Sequence, residues 1–301
     1  MTPPPLFGAN IDPSAADPRE PFRRAQIAEA HGLDLIMLQD HPYNRHHLET
    51  WTLLTALAAA TSRVHVGTNV LCTPLRPPAM IAKMAATLDI LSGGRVEIGL
   101  GAGAFQEGIA AYGGPAREPA DSLAAFEDAL RIVRGMLESA GGSFRHEGRF
   151  YQVNGARPGP GPAHPIRIWT GATRPRAMRL TGRLADGVLT TNTYVSALQL
   201  LANNALLDEG AAQAGRDPEQ VRRGYNLMGA IDAARSAPFD PQQPGPIVGP
   251  IQHWADLLVR LYRDYRQDTF IFWPVADDEA SQIELFAREV VPRVRDAIEG
   301  R

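Results

Sequence analysis

The stretch Gln39-Asp40-His41-Pro42-Tyr43-Asn44-Arg45-His46-His47 gathers several groups able to move protons. A histidine titrates near neutral pH, and a carboxylate beside it can orient or tune the ring. Asp40 and His41 therefore form a candidate acid-base pair. The plainer alternative has Asp40 closing a turn and His41 in solvent. The neighbours His46 and His47 raise a metal-dependent hydrolase as a third option. The remaining histidines, His31, His65, His146, His164 and His253, fall in helices, in loops or away from a strand's carboxyl end, so no metal site is assigned.

A second group is Gly99-Leu-Gly-Ala-Gly103, followed by Ala104, Phe105, Gln106 and Glu107. Gly99, Gly101 and Ala104 fit the dinucleotide pattern G-x-G-x-x-A. That pattern belongs to the first strand-helix turn, with an acid ending the next strand, whereas here Asp121 opens a long amphipathic helix. The favoured use of these glycines is to make room for a flat ring against the strand ends. A third group, Thr170-Gly171-Ala172-Thr173-Arg174-Pro175, reads as a strand end running into a helix capped by Thr173. Exposed N–H groups there, beside Arg174 and Arg176, would suit a phosphate. Asn69 interrupts an apolar run before Val70 and reads as a bulge or turn former. Cys72 is the sole cysteine. It has no activating partner in sequence, reads as a small buried filler, and excludes both an internal disulfide and a cysteine zinc cluster.

These groups need a scaffold, and short apolar runs alternating with helical spacing supply one. Strands are expected at 6–11, 33–38, 64–70, 96–100, 166–170, 187–191, 223–231 and 269–273. Helices are expected from Asp17-Pro18 to Gly32, and at 50–61, 78–91, 121–138, 175–184, 196–215 and 251–265, with a last one from about Glu279. Leu123, Phe126, Leu130, Val133 and Leu137 recur at three- and four-residue spacing, the clearest amphipathic face, with Asp121 and Ser122 as its expected caps. A hairpin is expected within 143–153 and loops at Arg157 to Pro162 and at the proline-rich Pro238 to Pro250. Eight strand-helix units in a chain of this length fit a closed (β/α)8 barrel as one domain over 1–301, with an open doubly wound sheet as the alternative. In such a barrel the site lies at the carboxyl ends of the strands. Asn10, Phe105, Tyr112, Asn192, Tyr194 and Trp273 then become candidate pocket residues.

Composition narrows the partners. The 30 basic and 33 acidic residues leave a net charge of −3, and the basic set is 29 arginines and the single Lys83. There is no basic stripe for a nucleic-acid backbone. Schiff-base or P-loop chemistry has one lysine to draw on. No apolar run reaches the ~20 residues of a membrane helix, and the start of the chain does not read as a secretory signal, so a cytoplasmic protein is expected.

The chain resembles the bacterial luciferase superfamily of flavin and deazaflavin oxidoreductases. The resemblance rests on Gly32-Leu-Asp-Leu-Ile36 running into Asp40-His41, on Gly67-Thr-Asn-Val70, on Leu88-Asp-Ile-Leu-Ser-Gly-Gly-Arg-Val-Glu-Ile-Gly-Leu-Gly-Ala-Gly103 and on Thr181-Gly-Arg-Leu-Ala-Asp-Gly187. It covers nearly the whole chain. It implies a luciferase-like TIM barrel with short insertions and a redox cofactor, flavin mononucleotide (FMN) or the deazaflavin coenzyme F-420, across the strand ends. His41 becomes the catalytic histidine, with Asp40 contacting the ring or orienting the imidazole. Asn69 and Val70 mark a bulge that holds a non-prolyl cis peptide in many relatives. Cys72, Gly101 and Gly103 line the ring pocket, and Gly171, Ala172, Thr173 and Arg174 hold the cofactor phosphate. Many deazaflavin relatives carry a glutamate directly after the strand-four glycines. This chain has Ala104 and Phe105 there, and Glu107 is the nearest acid, hence the third catalytic candidate.

The resulting expectation is an oxidoreductase performing hydride transfer or monooxygenation on a small organic substrate, as a homodimer without nucleic-acid or membrane partners. The alternatives are a barrel that binds a flavin without turnover, and the metal-dependent hydrolase.

Overall fold

A computed structural model of the protein describes residues 3–139, 141–235 and 239–300. Chain order is β1 (Leu6–Asn10), α1 (Glu20–Ala30), β2 (Leu35–Leu38), α2 (Thr50–Ala60), β3 (His65–Thr68), β4 (Leu71–Cys72), α3 (Pro78–Ser92) and β5 (Val96–Gly101). There follow α4 (Gln106–Ala111), α5 (Pro119–Glu138), the hairpin β6 (Phe144–Glu147) and β7 (Gln152–Ala156), β8 (Ile168–Thr170), α6 (Pro175–Leu184) and β9 (Gly187–Thr191). The last part is α7 (Ala197–Gln213), β10 (Arg222–Ile231), β11 (Ile247–Gly249), α8 (Ile251–Tyr265), β12 (Thr269–Pro274), α9 (Glu279–Leu285), a π-helical turn at Phe286–Val290 and α10 (Val291–Glu299).

Strands β12, β1, β2, β3, β5, β8 and β9 are parallel neighbours in that order, and β10 pairs with both β9 and β12. The eight strands thus close into a barrel, as expected, and the open-sheet alternative falls. The strand expected over 64–70 breaks at the cis peptide Asn69–Val70 and resumes as β4, which pairs with β5. Two short elements escaped the sequence reading. One is α4, hidden behind the glycine run; the other is β11, inside the proline-rich stretch whose first residue, Pro238, lies outside the described residues. Asp121 and Ser122 do not cap α5: Glu118 is its N-cap residue, and the Ser122 hydroxyl donates to the Ala102 carbonyl at 3.1 Å.

Alternation along the strands makes two cores. Ile36 and Leu38 of β2 point outward to helices, while Leu35 and Met37 join Trp169, Leu189 and Ile271 inside the barrel. The outer core takes one stripe of α5, where Ala125, Phe126, Ala129, Leu130, Val133 and Leu137 are buried at helical spacing. Each large apolar side chain so buried stabilises the fold by about 1.5–3 kcal/mol.

The amino-terminal face is tied by a repeated aspartate-arginine device. Asp34, Asp186 and Asp268 precede strands and accept from the backbone N–H groups of Phe7, Ile168 and Arg223 at 2.8, 2.8 and 3.1 Å. Arg295, Arg134 and Arg222 pair with the same three carboxylates. This face stabilises the barrel and leaves the carboxyl face free for chemistry.

Trp169 fits inside the barrel because Gly187 stands opposite it: a Cβ there would lie 2.4 Å from the indole Cε3. Gly187→Ala is therefore expected to destabilise the protein by about 1–3 kcal/mol through overpacking, measured as a lower midpoint in urea with an unchanged slope.

Candidate active site

A cleft of about 1530 Å³ opens at the carboxyl ends of β2, β4, β5 and β8. That is larger than the usual small-ligand pocket and leaves room for a cofactor and a substrate together. The cleft brings together eleven of the twelve residues expected from sequence: Asp40, His41, Asn69, Val70, Cys72, Gly101, Gly103, and Gly171 through Arg174. Glu107 is the exception. It is exposed in the first turn of α4, and its neighbour Gln106 faces the cleft instead.

Asp40 does not orient His41. Its side chain is wholly buried, and Oδ2 accepts from the Cys72 backbone N–H at 2.7 Å and from Arg76 Nη1 at 2.6 Å. Arg76 also pairs with Glu49, the N-cap residue of α2, whose carboxylate accepts from the Trp51 and Thr52 N–H groups. Asp40 thus pins the end of β2 to β4 and, through Arg76, to α2. The physical reason is the pair of donors within reach, since the Cys72 N–H and the Arg76 guanidinium occupy the Asp40 carboxylate.

His41 is held from its other side. Its Nδ1 lies 2.9 Å from the Tyr43 hydroxyl, and Tyr43 meets Phe105 edge to face at 5.1 Å. The outer edge of the imidazole is open to solvent, but the surrounding walls desolvate it, and with some help from His47 they lower its pKa below the usual 6.5. His41 is consequently neutral at pH 7. Burial raises the Tyr43 phenol to about 12, so it stays protonated. The Tyr43 hydroxyl accepts from Nδ1–H in one tautomer and donates to Nδ1 in the other, and in the first of these Nε2 keeps a lone pair for accepting a proton.

The floor is Val70. A Cβ on Gly101 would lie 2.7 Å from Val70 Cγ2, and one on Gly171 would lie 2.9 Å from it. These glycines therefore make room for the valine, not directly for a ring, and the valine presents the apolar platform. Asn69 turns inward and exchanges amide hydrogen bonds of 2.8 and 3.2 Å with Asn226 of β10, a partner invisible in sequence because 157 positions separate them.

The opposite end of the cleft is cationic. Arg174, not Thr173, is the N-cap residue of α6, and no side chain caps that helix. Its first N–H groups, with Arg174 and Arg176, line the cleft and suit an anion. Sequence reasoning missed the wall contributed by 115–123, including Arg117, whose guanidinium lies 5.3 Å over the Phe150 ring. The signal available was Gly113-Gly114-Pro115, a turn that brings the start of α5 over the strand ends.

Of the other pocket candidates, Asn192 bonds to Met228 and Gly245 backbone groups and is a tie between loops. Tyr112 and Tyr194 are exposed, and neither they nor Asn10, Phe105 or Trp273 line the cleft. The ring nitrogens of His41, His46 and His47 engage Tyr43, Arg45 and Asn44. Among the described residues these three histidines form no cluster with ligand spacing, and the hydrolase reading loses its basis.

Cys72 lines the cleft as an inert thiol, raised to about 11 chiefly by burial. The thiol therefore stays protonated at neutral pH. Iodoacetamide should leave Cys72 unmodified in the folded protein and alkylate it in urea, as read by intact mass.

The sequence profile of the luciferase-like monooxygenase family matches residues 4–237. An F420-dependent glucose-6-phosphate dehydrogenase of Nakamurella multipartita is 27% identical over 98% of both chains. The enzyme of the same name from Microbacterium testaceum is 33% identical over 73% of this chain and 67% of its own. Among solved structures, an F420-dependent secondary alcohol dehydrogenase superposes with a TM-score of 0.83 at 19% identity, covering 98% of this chain and all of that one. An EDTA monooxygenase from Chelativorans superposes with a TM-score of 0.81 at 16% identity, over 98% of this chain and 94% of that one. The fold is shared with both, and the chain belongs to the luciferase-like monooxygenase family as one of its oxidoreductases.

Proposed function

We propose that the protein is a deazaflavin-linked dehydrogenase or reductase that uses coenzyme F-420 and acts on a small hydroxylated organic substrate. The observation that carries this reading is the imidazole of His41, bonded to Tyr43, at the mouth of a cleft with an apolar floor and an arginine-lined end. A flat ring with an anionic tail matches that polarity. The curated relatives support the choice of cofactor, since those at 27–33% identity carry F420-dependent dehydrogenase names. Asn69, Val70, Cys72, Gly101 and Gly103 would hold the ring end, and Gly171, Ala172, Thr173 and Arg174 the phosphate end.

When bound, the deazaflavin supplies a two-electron hydride acceptor or donor. The chain's residues supply the rest. His41 Nε2 takes the hydroxyl proton in the oxidative direction and returns it in the reductive one. Tyr43 holds the imidazole ring in place. Asp40 is a positioning residue, holding Arg76 and the Cys72 N–H so that β2 and β4 stay in register under the cofactor. The helix start at Pro175 and the three arginines, Arg117, Arg174 and Arg176, balance the charge of the tail. Glu107 is exposed outside the cleft and has no part in this reading.

We further read the chain as a single domain over 1–301 and as a cytoplasmic homodimer. The outward residues Met80, Ile90 and Leu91 of α3, with Leu91 75% exposed, support a protein-covered face. No helix among the described residues is long and apolar enough to cross a membrane.

His41→Ala is expected to lower kcat by about 10²–10⁴ while leaving F-420 affinity within about threefold. Because the His41 pKa is lowered, kcat/KM in the oxidative direction should rise with pH below 6.5 and be flat by pH 7. The variant should lose that acidic limb. Unchanged turnover in the variant would remove His41 from the chemistry.

A further inference from the structure

Two histidines set aside in the sequence reading meet at the opposite end of the barrel from the cleft. His65 opens β3, Glu97 is the second residue of β5, and His164 precedes β8. One potential ligand atom from each lies within 4.8 Å of the other two, and His65 Nδ1 is 3.7 Å from Glu97 Oε1. The two imidazoles stand edge to face, with centroids 5.8 Å apart.

The protonation pattern is set by a neighbour. Asp89 of α3, wholly buried, accepts from His164 Nδ1 at 2.7 Å and from the His164 backbone N–H at 3.0 Å. It also accepts from the Val96 N–H at 3.1 Å, which fixes its own position. The Asp89 carboxylate thus accepts from Nδ1 and leaves Nε2 as the ring nitrogen free to ligate, the arrangement by which a carboxylate orients a metal-bound histidine. His164 Nε2 and His65 Nδ1 are both buried with no hydrogen-bond partner among the described residues. Buried polar atoms left without partners call for an explanation, and a shared cation satisfies both at once.

We propose that His65, Glu97 and His164 form a binding site for one divalent transition ion, with zinc the best fit to two imidazoles and a carboxylate. Ligands about 2.1 Å from a tetrahedral ion lie about 3.4 Å from one another, so the cluster needs to contract by less than about 1.5 Å. His164 and Arg167 also line a separate cavity of about 470 Å³ beside the cluster. The site joins β3, β5 and the segment entering β8, so the ion acts as a staple at the amino-terminal mouth. It is separate from the hydride chemistry, and the sequence reading, which assigned no metal ligand, gave no sign of it.

One group competes with the ion. Arg167 Nη1 donates to Glu97 Oε1 at 2.8 Å, while Trp169 Nε1 holds Oε2 at 2.8 Å. The Arg167 side chain is 45% exposed and can withdraw to water. The Arg95 guanidinium, bonded to the carbonyls of Ala58, Thr61 and Val64, is a second nearby cation and stays in place.

The test is competition titration of chelator-stripped full-length protein with Zn²⁺ against a chromophoric chelator, alongside thermal melting with and without Zn²⁺. One equivalent should bind with micromolar or tighter affinity and raise the melting temperature. His164→Gln and His65→Gln should each weaken binding at least tenfold, and Arg167→Gln should tighten it at least tenfold. Circular dichroism of the ion-free variants checks folding, and F-420 affinity should be the same in all of them. Absence of stoichiometric Zn²⁺ binding, equal binding in the histidine variants, or no tightening in Arg167→Gln would each overturn the proposal.

Discussion

One close approach at the carboxyl face governs the shape of everything above it. Val70 projects between β5 and the end of β8, and it can do so only because Gly101 and Gly171 have no side chains. A methyl group at either position would collide with the valine methyls, and Val70 would then have to leave its place. Interiors packed at crystal-like density cannot absorb such a displacement without moving the strands. The floor of the cleft, the break between β3 and β4 and the inward turn of Asn69 toward Asn226 are therefore parts of one arrangement.

The walls depend on a second constraint, the burial of Asp40. A wholly buried carboxylate is tolerated only when its charge is matched and its oxygens are bonded. Arg76 and the Cys72 N–H meet that requirement and, in doing so, fix β2 to β4. His41, the next residue, inherits a fixed backbone without any direct bond to Asp40. Its surroundings are set instead by Tyr43, which bonds to the ring, and by the burial that lowers its pKa. The acid beside the histidine is thus structural support for the site, and the tyrosine two residues on is the group in contact with the imidazole.

Periodicity along the chain carries the barrel. Helix α6 and strand β9 start and end where spacing and turn residues place them, and α5 follows its apolar stripe. Local pattern also located the strand-end residues, because chain direction alone puts them at one face of a parallel barrel. What stayed hidden depended on contacts far apart in sequence. Glu107 is near the right place in the chain but on the wrong side of α4, a helix too short for periodicity to reveal. Thr173 resembles a cap but precedes the position that the Pro175 ring selects for helix entry. Asn226, Arg76 and the wall at 115–123 carry no local mark of their partners. The histidines at 65 and 164 looked inert because each is unremarkable until β3 and β8 are brought to either side of β5.

The account rests on a cleft that accepts a deazaflavin across Val70 with its anionic tail toward Arg174 and Arg176. Its most direct test is paired equilibrium titration of the purified apoprotein with coenzyme F-420 and with FMN, read by cofactor fluorescence at fixed salt. The account predicts micromolar or tighter binding of F-420 and binding of FMN weaker by at least tenfold. Preferential binding of FMN would contradict it and turn the same cleft toward oxygen-dependent chemistry, and binding of neither would remove the redox reading altogether.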